Sequence, residues 1–147
     1  MAPLLHIPPT PQVDRLIELA LAEDIGHGDI TTDSLDLHDT RGRGRIVAKE
    51  PLVIAGLELI ERVFRRLDPD ISVRRHFADG DVIETAGTEI AVVEGQMAAI
   101  LTGERTALNF CQRMSGIATH VEAYVASLPD APVRLVDTRK TVPGWRV

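Results

Sequence analysis

From Ile100 to Leu128 the apolar residues fall on one side of a helix. Ile100, Ala107, Cys111, Met114, Ala118, Val121, Val125 and Leu128 follow one another at intervals of three, four or seven. Only a helix turning every ~3.6 residues places such a series in one stripe. The stripe predicts one long helix, or two joined near Ser115-Gly116, packed into a core. Pro129-Asp130 and Pro132 break it. A helix this long requires a matching apolar surface, so the preceding residues must supply one.

They have the periods to do so. Val13, Leu16, Ile17, Ala20 and Leu21 repeat at helical spacing before Gly26 and Gly28. Arg43 to Ala55 reads as two short strands around Pro51, which cannot donate to a central ladder. Leu57, Ile60, Val63, Phe64 and Leu67 predict a second amphipathic helix, stopped at Asp68-Pro69. Val73, Phe77, the Asp79-Gly80-Asp81 turn, and then Val82, Ile83, Ile90, Val92 and Val93 predict a small β-meander punctuated by Gly87 and Gly95. After the long helix, Val133 to Val136 reads as a short apolar strand. The fold class is α/β: an N-terminal α+β unit with a small sheet and long helix, then a second unit barely begun. A strand that opens a βα series needs later strands to pair with, so the chain is expected to stop short of a complete second domain.

Composition removes several functions. Aromatic residues make up 3% of the 147, so the core is aliphatic, and a formal charge of −6 argues against a generally nucleic-acid-binding surface. No stretch reaches the roughly 18 apolar residues of a membrane span. Met1 to Pro11 has neither the basic nor the apolar region of a secretory signal, and the cytoplasm is the expected compartment. Cys111, the single cysteine, lies within the apolar stripe and reads as a buried filler rather than a nucleophile.

Three clusters could carry chemistry. Asp137-Thr138-Arg139-Lys140-Thr141 follows the expected strand, where ligand-handling residues of α/β folds collect. Arg offers a fork that meets a carboxylate in two hydrogen bonds, and Lys a mobile point charge suited to phosphate. Lys140 is one of only two lysines, with Lys49. Taken alone, however, the segment reads more readily as a solvated loop. The second cluster places Arg105, Asn109 and Arg113 one turn apart beside the apolar stripe. Spacing alone favours an ordinary helix face there, with Glu104 or Asn109 as an intrahelical partner. The third, Glu23 to Thr32, combines carboxylates and glycines but lacks the ligand alternation of an EF-hand. A helix exit followed by a Thr or Asp cap accounts for it more simply than metal ligation or a His27 base.

Together the segments Ala22 to Thr32, Gly103 to Phe110, Arg113 to Thr119 and Asp137 to Thr141 resemble the quinolinate phosphoribosyltransferase family, in the same order and at matching separations. The resemblance runs from about Val13 to Arg146. It implies an N-terminal domain over residues 1–111 and, over 112–147, the start of an α/β barrel whose remainder is absent. It implies phosphoribosyl transfer from phosphoribosyl pyrophosphate to quinolinate in NAD biosynthesis, with release of carbon dioxide and pyrophosphate. Mg²⁺ would accompany the pyrophosphate, with its ligands mostly outside this chain. By the same resemblance Arg139 binds quinolinate, Lys140 serves the phosphoribosyl donor or the second carboxylate, and Thr138 contributes a hydroxyl or backbone contact. Arg105 reaches the dicarboxylate from the neighbouring subunit of a homodimer. A closed barrel of this kind needs roughly 200 residues or more, so this chain alone is expected to be catalytically silent.

Rival readings are a fold paralogue, related to molybdenum transport or using nicotinate, and a non-catalytic dimerisation fragment. A lipoyl or biotinyl carrier is a third, suggested by the turns at Asp79-Gly80-Asp81 and Val93-Glu94-Gly95. It would need a lysine between Lys49 and Lys140, and none is there.

Overall fold

A computed structural model of the chain describes residues 10–37, 39–128, 134–138 and 140–141. The elements in order are α1 (Pro11–Ile25), α2 (Ile30–Asp33), β1 (Arg41–Val47), β2 (Leu52–Val53), α3 (Leu57–Leu67), β3 (Ser72–Arg75), β4 (Val82–Ile83), β5 (Glu89–Gln96) and α4 (Met97–Ala126). The stripe beginning at Ile100 is realised as one unbroken helix that passes through Gly116.

The strands fall where the sequence places them, but they do not form a meander. One sheet has the order β1-β5-β3, and a separate two-stranded ribbon pairs β2 with β4; every pairing is antiparallel. β3 therefore skips β4, its neighbour in sequence, and pairs with β5. Nor does Gly95 end a strand. It lies inside β5, where a Cβ would stand 2.5 Å from Ile71 Cγ1.

The two sheet faces differ. Ile46, Val73, Ala91 and Val93 join the core with Leu57, Ile60, Val63 and Phe64 of α3 and with Ile100, Ala107 and Cys111 of α4. On the other face the register aligns Arg41 with Gln96, Arg43 with Glu94, and Arg45 and Arg74 with Val92. Val92 is nonetheless buried and stands outside the core cluster. Opposite Val92 the register places the long side chains of Arg45 and Arg74, whose stems can cover apolar surface while the charged heads stay in water.

Aspartates close the helix ends. Asp79 accepts the backbone N–H groups of Gly56 (2.9 Å) and Leu57 (3.0 Å), capping α3 from a turn 22 residues downstream. Gly56 itself has φ +91°, a conformation that glycine adopts without strain. At the far end of α3, Asp68 accepts the N–H of Asp70 (2.9 Å) and of Gln96 (3.0 Å), tying the start of α4 to α3. The bond from Gln96 holds the Asp68 carboxyl below its usual range, against the opposing effect of burial.

α1 lies against α3 and α4. It buries Val13, Ile17 and Leu21, and ion pairs Asp14–Arg62 and Glu18–Arg66 join it to α3. At Gly103 the helices α3 and α4 touch: a Cβ there would lie 2.9 Å from Leu67 and 3.0 Å from Phe64.

α4 is unevenly covered. Ala99, Ile100, Ala107, Phe110, Cys111 and Ser115 are buried, whereas every residue from His120 to Ala126 is exposed. Beyond it, the expected strand at Val133 to Val136 is not formed at Arg134, Leu135 or Val136, which have no regular structure; Val133 lies outside the described residues. Among the described residues no strand runs alongside to pair with it, and strand conformation depends on that ladder.

Candidate functional site

The long polar line of α4 and the acidic segment after α1 are brought together. Arg105 projects from α4 with three-quarters of its side chain exposed, and its Nη1 donates to Asp24 Oδ1 at 2.8 Å. The partner is thus Asp24, on the last turn of α1, and not the intrahelical Glu104 or Asn109 expected from spacing. Asp24 is mostly buried (18% exposed), and its second oxygen lies 3.4 Å from the Thr106 hydroxyl. Gly26, at φ +56°, turns the chain away directly after α1.

One helical turn earlier on α4 a second contact repeats the pattern. Asp29 caps α2, accepting the Thr32 backbone N–H (3.1 Å) and the Thr32 hydroxyl (2.5 Å), and also accepts the Thr102 hydroxyl at 3.1 Å. The Glu23-to-Thr32 segment is therefore laced to α4 by two carboxylates. Their oxygens are occupied by protein donors, and among the described residues no group of three or more His, Cys, Asp or Glu side chains could hold a metal ion.

Arg105 stands at the edge of a groove of about 380 Å³ between α1 and α4, lined also by Leu16, Glu23, Asn109, Phe110 and Arg113. The three polar positions spaced along α4 do share one wall. A larger cavity of about 650 Å³ opens on a different face of α4, against residues 46–54; its lining includes Lys49, Cys111, Ser115, Thr119 and His120 but no arginine. It suits a dicarboxylate less well, since carboxylate recognition favours the guanidinium fork.

Cys111 borders that larger cavity, where burial pushes its thiol up from the ordinary value despite a contact with Ser115. A protonated thiol of this kind is inert filling. Ser115 and Thr119 do more visible work: Ser115 Oγ accepts the Ala55 N–H (3.0 Å) and donates to the Ala55 carbonyl (3.2 Å). Thr119 Oγ1 accepts the Val53 N–H at 2.9 Å. Two hydroxyls of α4 thereby satisfy backbone groups of Val53 and Ala55.

The remaining sequence-predicted site residues stand apart. Thr138 and Lys140 are exposed, and the Thr138 hydroxyl accepts the Lys140 backbone N–H at 3.1 Å. Neither bonds to Arg105 among the described residues. Arg139 lies outside the described residues. What sequence reasoning missed was Asp24 as the partner of Arg105. The signal was the acidic end of a helix in one cluster and an arginine in another, with nothing in the sequence to join them.

Known proteins resemble this chain in sequence and in fold. The family model for the quinolinate phosphoribosyl transferase N-terminal domain matches residues 29–115. A probable nicotinate-nucleotide pyrophosphorylase (carboxylating) of Synechocystis is 46% identical over 99% of the chain and 49% of its own length. A probable enzyme of the same name from Bacillus subtilis is 40% identical over 92% of the chain and 46% of its own length. The crystal structure of NadC from Streptococcus pyogenes superimposes with a TM-score of 0.86 at 37% identity, covering 94% of this chain and 49% of that one. The chain spans about half the length of the curated relatives it matches. With the matched domain model and these relatives, the chain belongs to the quinolinate phosphoribosyl transferase N-terminal domain family.

Proposed function

We propose that this chain forms the N-terminal part of a decarboxylating phosphoribosyltransferase acting on quinolinate. The reaction joins the pyridine nitrogen of quinolinate to the anomeric carbon of phosphoribosyl pyrophosphate as pyrophosphate leaves. Loss of the adjacent carboxylate as carbon dioxide, with protonation of the ring carbon, gives nicotinate mononucleotide for NAD biosynthesis. The observation that carries the reading is Arg105: an exposed guanidinium held by a mostly buried carboxylate, inside the segment that the family model matches.

Quinolinate is a planar dicarboxylate and rewards two arginines. In this reading Arg105 meets one carboxylate from across a homodimer interface, and Arg139 meets the other. Lys140 neutralises the phosphoribosyl donor or the second carboxylate, and Thr138 adds a hydroxyl beside them. Catalysis is then electrostatic and orientational: the anions are neutralised and the nitrogen is aimed at a carbon that becomes oxocarbenium-like. No covalent nucleophile is needed, in keeping with the inert Cys111. Mg²⁺ would neutralise the departing pyrophosphate, but the described residues gather no ligand group for it, so no step here is assigned to it. The division into residues 1–111 and 112–147 remains part of the proposal, and that boundary falls within α4. No described helix is long and apolar enough to cross a membrane; the cytoplasmic setting is part of the proposal.

A second reading rests on Ile117, Val121, Tyr124 and Val125, exposed together on the last turns of α4. Such a patch favours self-association of the 147-residue chain without activity. Light scattering separates this from the enzyme reading only for the isolated chain. The function itself is tested on the full reading-frame product with Mg²⁺ and phosphoribosyl pyrophosphate. Carbon dioxide release that depends on quinolinate is expected. Nucleotide formation from nicotinate, without turnover of quinolinate, would assign the chain to a paralogue.

A further inference from the structure

We infer that Asp24 is the positioning residue for Arg105, so that the acidic end of α1 serves substrate recognition as well as folding. This rests on the reading that Arg105 binds a carboxylate of the substrate.

An arginine on an exposed helix face samples many rotamers, and fixing it at the moment of binding costs side-chain entropy. Here one nitrogen of the fork is already engaged. Asp24 Oδ1 accepts from Nη1 at 2.8 Å, while the side chain as a whole keeps 75% of its surface open. Among the described residues the other N–H groups of the fork bond to no side chain but that of Asp24, and they can meet an incoming carboxylate.

Asp24 is itself held. Its own side chain is only 18% exposed, and Thr106, buried in α4, reaches its second oxygen at 3.4 Å. The backbone behind it is fixed as well: Gly26 N–H closes onto the Ala22 carbonyl (3.1 Å), and Asp29 binds Thr102 one turn before Arg105. An ordinary surface pair has two mobile partners and contributes little. This pair has one anchored partner and one presented partner, the arrangement that pre-orients a binding group.

The test is a double-mutant cycle on the full reading-frame product, reading KM for quinolinate, KM for phosphoribosyl pyrophosphate and kcat separately. Arg105→Ala is expected to raise the quinolinate KM by roughly tenfold or more, as for loss of a hydrogen bond to a charged group. Asp24→Asn is expected to raise it by about three- to tenfold, to leave the other KM unchanged, and to add nothing when combined with Arg105→Ala. Asp24→Glu restores part of the loss by returning the carboxylate. Thr106→Val, which removes the second anchor, gives a smaller rise in the same KM and supplies the test if Asp24→Asn does not fold. An unchanged KM in Arg105→Ala overturns the underlying reading and the inference together. A normal KM in Asp24→Asn beside an impaired Arg105→Ala overturns the inference alone, as would additive losses or equal rises in both KM values.

Discussion

The two halves of α4 continue one apolar stripe but meet opposite environments. In the first half Ala107 and Cys111 are buried among α3, the sheet and the β2–β4 ribbon, and Ser115 and Thr119 bond the backbone at residues 53–55. In the second half Val121 and Val125, in the same stripe, are 45% and 49% exposed. Periodicity thus records which side of a helix is meant to be covered. It does not record whether the covering surface lies within these residues. Arg105 belongs to the first half, so its placement is a property of a packed domain and needs nothing from the second.

Matched truncations in the isolated chain would break that contrast most sharply. Ile100→Ala should cost about 2–5 kcal/mol through lost burial and a residual cavity, whereas Val125→Ala should stay within about 0.5 kcal/mol. Urea unfolding midpoints at constant slope measure both, and similar values for the two would mean that the second half is packed after all.

The two glycines of α4 sharpen the comparison, because the same substitution should change sign between them. Gly103→Ala gains helix propensity but drives a methyl into Leu67 and Phe64, for a net loss of about 1–2 kcal/mol. At Gly116 nothing lies within 4 Å of the added Cβ, and alanine should stabilise by about 0.5–1 kcal/mol. Thermal midpoints moving in the same direction for both would contradict the packing described for Gly103.

Much of this was legible beforehand. The helices α1, α3 and α4 follow from apolar residues at helical spacing, and their stops from Gly26, Asp68-Pro69 and the prolines after Leu128. Strand positions were legible as well, because alternation and turn residues are local signals. Pairing was not. β3 joins β5 rather than β4 because β2 captures β4, a choice made by packing in space. The same limit applies to the site. Arg105 stood out as a cation beside an apolar stripe, but Asp24 is 81 residues away, and a helix-exit aspartate is read locally as a cap. At Leu135 and Val136 the apolar character pointed to a strand, and it fails there because a strand is completed by its neighbour. Arg139 lies outside the described residues.

The smallest expected effect concerns pH and the start of α4. Asp68 has a folded-state pKa lowered chiefly by the Gln96 N–H. Its contribution to stability is therefore present above the ordinary carboxylate range and is lost as pH falls through the lowered folded value. Asp68→Asn should flatten the acid limb of the stability–pH curve while leaving its neutral shape in place. An unchanged acid limb would show that other carboxylates dominate it.

Amide hydrogen exchange along α4 in the isolated chain, at concentrations low enough to keep it monomeric, tests the central claim most directly. Slow, globally protected amides are expected through Ser115, including those around Arg105, with a drop in protection beyond Thr119. Uniform protection through Ala126 would contradict it, and so would fast exchange at residues 103–111, because either result would remove the distinction between a packed half that holds Arg105 in place and a half left uncovered.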